Sequence, residues 1–182
     1  MFCRIIWQAR AKLGHASRAL GSSLDATVFS ASLSKGTRFG ERQLLQLTAN
    51  ARGRHQRREF RDTLLGIEAR YYLRQTPRRV LYLGLVGEAG TRLDDDHQVQ
   101  LGGDSGLRGY PLRYQAGTAR GLLTLEQRYY TNWYPFRLFH VAGAVFFDVG
   151  RTWGTDVTGA SGDGLLKDVG LGLRLGSSRS AF

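Results

Sequence analysis

Asp62-Thr63-Leu64-Leu65-Gly66-Ile67-Glu68-Ala69-Arg70-Tyr71-Tyr72-Leu73-Arg74 decides the fold. In an extended chain Thr63, Leu65, Ile67, Ala69, Tyr71 and Leu73 share one face. Asp62, Gly66, Glu68, Arg70, Tyr72 and Arg74 share the other. Successive side chains of a strand point to opposite faces, so a sustained period of two specifies a β-strand. A helix repeats about every 3.6 residues and would mix the two sets.

The same alternation recurs on both sides of this stretch. From Cys3 to Leu13, Ile5, Trp7, Ala9, Ala11 and Leu13 oppose Arg4, Gln8, Arg10 and Lys12, with a helix as the alternative reading. Leu24 to Lys35 is a weaker strand with Phe29, Ala31 and Leu33 on its apolar side. Gly36, Gly40 and the charges between them mark a turn. From Arg42 to Arg52, Leu45, Leu47, Ala49 and Ala51 oppose Gln46, Thr48, Asn50 and Arg52. Arg52 to Arg58, with Gly53 and His55, reads as a basic hairpin loop, and Thr76-Pro77 as a turn. From Arg79 to Ala89, Leu81, Leu83 and Leu85 oppose Tyr82, Gly84, Val86 and Glu88. From Arg120 to Trp133, Leu123, Leu125 and Tyr129 oppose Thr124, Glu126, Arg128 and Tyr130. From Val141 to Trp153, Val141, Val145, Phe147 and Val149 oppose Asp148. Gly159 to Gly164 reads as a loop. A last strand, Val169 to Leu175, sets Val169, Leu171, Leu173 and Leu175 against Asp168, Gly170, Gly172 and Arg174.

About eight strands result, so the expected class is all-β with an antiparallel sheet. Most run near ten residues, where globular strands average about five or six. Alternating segments of about ten residues between turns are the mark of transmembrane β-strands. Tyr71, Tyr72, Tyr129, Tyr130, Trp133, Tyr134, Phe136 and Trp153 gather near strand ends, where interfacial aromatic girdles sit. A soluble β-sandwich also alternates and stays open as an alternative.

Residues 91–119 carry no strand or helix pattern, and a gap of that length inside a domain is commonly functional. At its centre stands Gly102-Gly103-Asp104-Ser105-Gly106-Leu107-Arg108-Gly109-Tyr110. Its glycines permit turns closed to other residues. Arg108 places a fixed cation near the Tyr110 ring.

Composition limits the function classes. The 182 residues are 42% hydrophobic. No apolar run reaches the ~18 residues of a transmembrane helix. The net charge of +11 is mostly arginine, which points to an anionic partner. The arginines are spread through nearly every strand rather than set in one stripe. In a barrel they would face an aqueous interior. Cys3 is the single cysteine, so no internal disulfide forms. Met1 to Leu20 has Arg4, Arg10 and Arg18 and no continuous apolar core, unlike a secretory signal. The chain is therefore expected to be a fragment of a longer barrel protein.

Three motifs in order carry a resemblance. They are Gly106-Leu107-Arg108-Gly109-Tyr110 in the long loop, Leu125-Glu126-Gln127-Arg128-Tyr129, and Phe146-Phe147-Asp148-Val149-Gly150-Arg151-Thr152-Trp153. Together they resemble the C-terminal part of the Omp85 outer-membrane barrels, the bacterial surface antigen (D15) domain, over roughly Arg42 to the end. The resemblance implies a partial C-terminal barrel over residues 1–182, about eight strands of a 16-stranded wall. The loop at about 91–119 would fold into the lumen. It implies Arg108, Gly109 and Tyr110 as the loop tip, with Glu126 and Asp148 as its acidic partners on the wall. Alternation independently puts both acids on the polar face of neighbouring strands, where a guanidinium can fork between carboxylates.

The resemblance also implies a location in the outer membrane of a Gram-negative bacterium. The expected partners are outer-membrane lipid and lipopolysaccharide, polypeptide substrates, upstream POTRA domains and accessory proteins. The expected function is insertion or translocation of polypeptides, with no enzymatic chemistry, no cofactor, no metal and no nucleic acid. Two alternatives stand beside it. One is a barrel anchor for a larger patatin-like hydrolase. The other is a soluble, basic nucleic-acid-binding β protein.

Three further motifs receive plainer readings. Gly103-Asp104-Ser105-Gly106 matches part of the chymotrypsin-like nucleophile motif, but Leu107 replaces its last glycine. None of His15, His55, His97 and His140 stands in a context suited to a catalytic base. Asp94-Asp95-Asp96-His97 reads as a solvated loop tract rather than a cation site. The Arg52 to Arg58 cluster reads equally as a solvated hairpin or as a contact for an anionic surface.

Overall fold

A computed structural model of the chain describes residues 5–23, 25–94, 97–135, 139–154 and 164–177. The strands are β1 (Ile5–Ala16), β2 (Ala26–Phe39), β3 (Gln43–Gln56), β4 (Glu59–Thr76) and β5 (Arg79–Thr91). They continue as β6 (Val99–Leu101), β7 (Gln115–Gly117), β8 (Ala119–Tyr130), β9 (Phe139–Trp153) and β10 (Leu166–Ser177). Eight of them form one antiparallel meander in the order β1-β2-β3-β4-β5-β8-β9-β10. The short β6–β7 pair stands apart and closes the base of the long loop. The main sheet is open: among the described residues β1 pairs only with β2 and β10 only with β9.

The alternating stretch falls inside β4, and the ladder carries its two faces across the sheet. Ile67 pairs with Ala49 and Gly87, and Leu65 with Ala51 and Ala89. One face thus holds the Leu, Ile, Val and Ala rows. The other holds Glu68, Arg70, Glu88, Glu126 and Asp148. The long loop lies on this second, inner face. The outer, apolar face is the exposed one: Ile67 is 62% exposed and Leu171 82%. The core is correspondingly small. Leu101 and Leu107 of the loop are fully buried against Leu122 of β8 and Leu166 of β10.

Several boundaries differ from the sequence reading. Ile5–Ala16 is a strand, so the helical alternative at the start does not hold. Gly36 is not a turn residue; it pairs with Ile6 and Gln46 inside β2. Only residues 40–42 form that turn. The expected Arg52 to Arg58 loop is mostly β3, which runs to Gln56. Its turn is Arg57-Arg58, at φ 50 and 68. Two central residues at positive φ match the twist of a two-residue hairpin. Asp62 and Thr63 together face Gly53, because the β3–β4 register shifts between Arg52 and Arg54. This is a β-bulge, and Asp62 sits in it at φ 49.

The 91–119 gap is not structureless. It contains β6, a 3-10 turn at Gly103–Ser105 and β7. Among the aromatics, Tyr72 lies on the inner face against Tyr82, and Tyr130 faces inward beside Arg128. Tyr71 and Tyr129 remain on the outer face. Phe136 and most of the Gly159 to Gly164 loop lie outside the described residues.

Candidate functional site

The site forms where the loop tip meets β8, β9 and β10. Strand pairing sets its floor. Glu126 faces Phe146, and Phe146 faces Gly170. One row over, Thr124 faces Asp148, and Asp148 faces Asp168. The period of two puts all of these side chains on the inner face.

Arg108 descends onto this floor. Its Nε donates to Asp148 Oδ2 at 2.9 Å and its Nη2 to Asp148 Oδ1 at 3.2 Å. Its Nη1 donates to Glu126 Oε2 at 3.3 Å. The guanidinium also stacks on the Phe146 ring, 3.5 Å from the centroid. A planar fork suits this task, since lysine offers neither the bidentate contact nor the stacking plane. Burial opposes the Arg108 charge, but hydrogen bonds and attraction from Asp148, then Glu126, hold its pKa above the usual value.

Asp148 is fully buried, and Glu126 is nearly so. Buried charges are tolerated when paired and hydrogen-bonded. Glu126 also accepts from Arg128 Nε at 3.1 Å and from Arg174 Nη2 at 2.6 Å. Asp168 closes the set by accepting the Gly109 N–H at 2.7 Å. Arg108, Arg128 and Arg174 thus face Glu126, Asp148 and Asp168 in a cluster of balanced formal charge.

Gly109 must be glycine for space: a Cβ there would stand 2.9 Å from the Asp168 Cβ. Gly106 must be glycine for conformation, at φ 119. Between them Leu107 enters the small core. Tyr110 Oη donates to the Lys167 carbonyl oxygen at 3.1 Å, and its ring packs on Tyr114.

Arg108, Gly109, Tyr110, Glu126 and Asp148 are therefore brought together. The sequence reading leaves Asp168, Arg174, Arg128, Phe146 and Leu107 out of the site. Alternation places the first two on the polar face, but strand parity alone does not choose among polar residues along a strand. Gln115 is also missed. It is buried in β7, accepts the Thr152 N–H at 3.0 Å and donates to the Gly164 carbonyl at 2.9 Å.

Further contacts hold the loop base. Arg120 Nε lies 2.7 Å from Glu88, and its Nη1 donates to the Gln100 carbonyl at 2.7 Å. The bulged Asp62 meets His97 Nδ1 at 2.7 Å. Asp62, Asp94 and His97 bring their ligand atoms within 4.8 Å of one another. Asp94 is already held by Arg54 at 2.6 Å, so an ion pair accounts for its charge. Asp95 and Asp96 lie outside the described residues. Ser105 Oγ donates to the Gly102 carbonyl at 3.0 Å.

No protein-family model, no curated protein and no solved structure matches this chain.

Proposed function

We propose that this chain is part of an outer-membrane β-barrel of the Omp85 type, which assists insertion or translocation of polypeptides. The carrying observation is that the polarity of the sheet is inverted. Its apolar face is solvent-exposed, and an arginine-anchored loop covers part of its charged face. In water, exposed Ile67, Leu171 and Leu173 at 62%, 82% and 72% would form an unusually large apolar surface. In a bilayer they would face acyl chains. From Thr63 to Leu73 the outer face of β4 runs ~33 Å along the strand. At a tilt of about 40° that spans ~25 Å, the height of a transmembrane barrel's apolar band.

The loop supports a lumen. Eight strands close around a space only wide enough for side chains. A loop carrying two short strands and its own leucine core needs a wider wall. In lipid the outer edges of β1 and β10, which have no partner among the described residues, also need hydrogen-bonding partners. The order of the three motifs supports the family reading, and so does the Arg108 contact with Glu126 and Asp148.

The test is co-flotation with phosphatidylcholine vesicles after refolding from urea. The chain should float with the lipid and resist carbonate extraction. Ile67→Arg, at mid-band, should reduce floated protein on the order of tenfold or more, given a penalty of ~2–4 kcal/mol. Thr48→Arg, on the inner face, should float like the parent. A chain that stays in the aqueous fraction without detergent would overturn the membrane reading.

A further inference from the structure

The inner face has a second half that the loop does not cover. Towards the short turns at residues 40–42 and 77–78, an open groove of about 800 Å³ runs from β1 across to β8. Arg38, Arg42, Arg70, Arg74 and Arg128 line it, against Glu41 and Glu68. Two of these charges are spent internally. Arg70 pairs with Glu68 at 2.6 Å, and Arg128 with Glu126 at 3.1 Å. Arg42 and Arg74 have no side-chain partner among the described residues. They are also neighbours: the Arg74 N–H donates to the Arg42 carbonyl oxygen at 2.7 Å.

We propose that this groove binds an extended acidic polypeptide segment. The proposal rests on the reading of the chain as a polypeptide-handling barrel and names the substrate feature such a barrel would hold. The groove crosses six strands of the sheet. At about 4.8 Å per strand its floor is ~24 Å long, the length of roughly seven extended residues. Gln8, Gln46 and Thr48 along the floor offer side-chain partners to a peptide backbone. The unpaired Arg42 and Arg74, against Glu41 as the groove's one acid without a partner among the described residues, supply the charge preference.

A nucleic acid fits less well. Base binding needs free aromatic faces for stacking. Tyr72 is committed: it packs on Tyr82 at 5.1 Å, and Arg128 covers both rings.

The experiment uses the whole chain folded in mild detergent. Fluorescence anisotropy would follow a labelled Asp/Glu-rich heptapeptide, a Ser/Asn-rich control and a thymidine oligonucleotide. The acidic peptide should bind, and binding should weaken between about 50 and 200 mM salt. Arg42→Glu with Arg74→Glu should weaken it on the order of tenfold. Arg57→Glu with Arg58→Glu, at the opposite rim, should leave it unchanged. If the double reversal does not fold, as judged by its far-ultraviolet β signal, Arg74→Gln replaces it and should still weaken binding. No acidic-peptide binding overturns the proposal, and so does an oligonucleotide that binds as tightly. Equal loss in the Arg57 and Arg58 variant also overturns it. Flotation is scored separately. A chain that floats but ignores the peptide refutes the groove alone. A chain that binds the peptide but stays out of vesicles refutes the membrane reading alone.

Discussion

At the scale of single residues, Arg108 is the one side chain among the described residues that ties the loop to both Glu126 and Asp148. Removing it leaves Asp148 buried without its bidentate partner. Breaking one side of a buried pair costs about 3–5 kcal/mol. Arg108 keeps 34% of its side chain exposed, which favours the lower end of that range. A loss of ~3 kcal/mol raises the undocked population about 100-fold. Arg108→Ala should therefore speed limited proteolysis within residues 102–114 by about that factor in detergent-folded chain. Arg108→Lys should fall between the two, since it restores charge but not the fork or the stack on Phe146. Unchanged protection in Arg108→Ala would mean that the arginine does not hold the loop.

At the scale of elements, docking also depends on Leu107, which turns into the core after Gly106 at φ 119. Leu107→Ala removes a fully buried side chain and should weaken docking by about 2–4 kcal/mol. Hydrogen exchange of the Gly103 and Tyr110 amides, both bonded within the loop, reports this locally. Their protection should fall while the β4 amides stay protected. Equal loss in both would show that the loop and the wall unfold together.

The elements also show what the sequence could and could not say. The faces of β4, β5, β8 and β9 were legible because a period of two needs no tertiary knowledge. The same parity puts Glu126 and Asp148 on the polar face, but only the motif resemblance singles them out as the partners of Arg108. Other features depend on contacts between distant segments. The sequence marks a hairpin at Arg52 to Arg58, but Arg57-Arg58 turns at positive φ without glycine or asparagine, so no local signal narrows the loop to these two residues. The bulge at Asp62 and Thr63 exists only relative to Gly53. β6 and β7 have three residues each, too few to show a period. Asp168 and Arg174 enter the site only because β10 pairs with β9 in one register.

At the scale of the molecule, the question is which side of the sheet meets lipid. A soluble sandwich and a membrane barrel share the alternation and differ in what covers the apolar face. The natural Cys3 is the single cysteine, so Cys3→Ser gives a background for scanning. Single cysteines at Leu65, Ile67 and Ala69 would occupy the outer face, and at Gly66, Glu68 and Arg70 the inner face. A polarity-sensitive thiol dye on vesicle-reconstituted chain should emit in the blue at 65, 67 and 69 and be quenched by lipid-borne nitroxide. At 66, 68 and 70 it should be quenched by aqueous iodide. The inner positions lie clear of the loop tip, so water should reach them as in a wet lumen. In a sandwich the outer positions would be shielded from both quenchers and the inner ones open to iodide without any lipid, so the nitroxide signal alone separates the two. A two-residue period in nitroxide quenching, with maxima at 65, 67 and 69, would place the exposed apolar rows in the bilayer. Its absence would leave those rows to a protein partner.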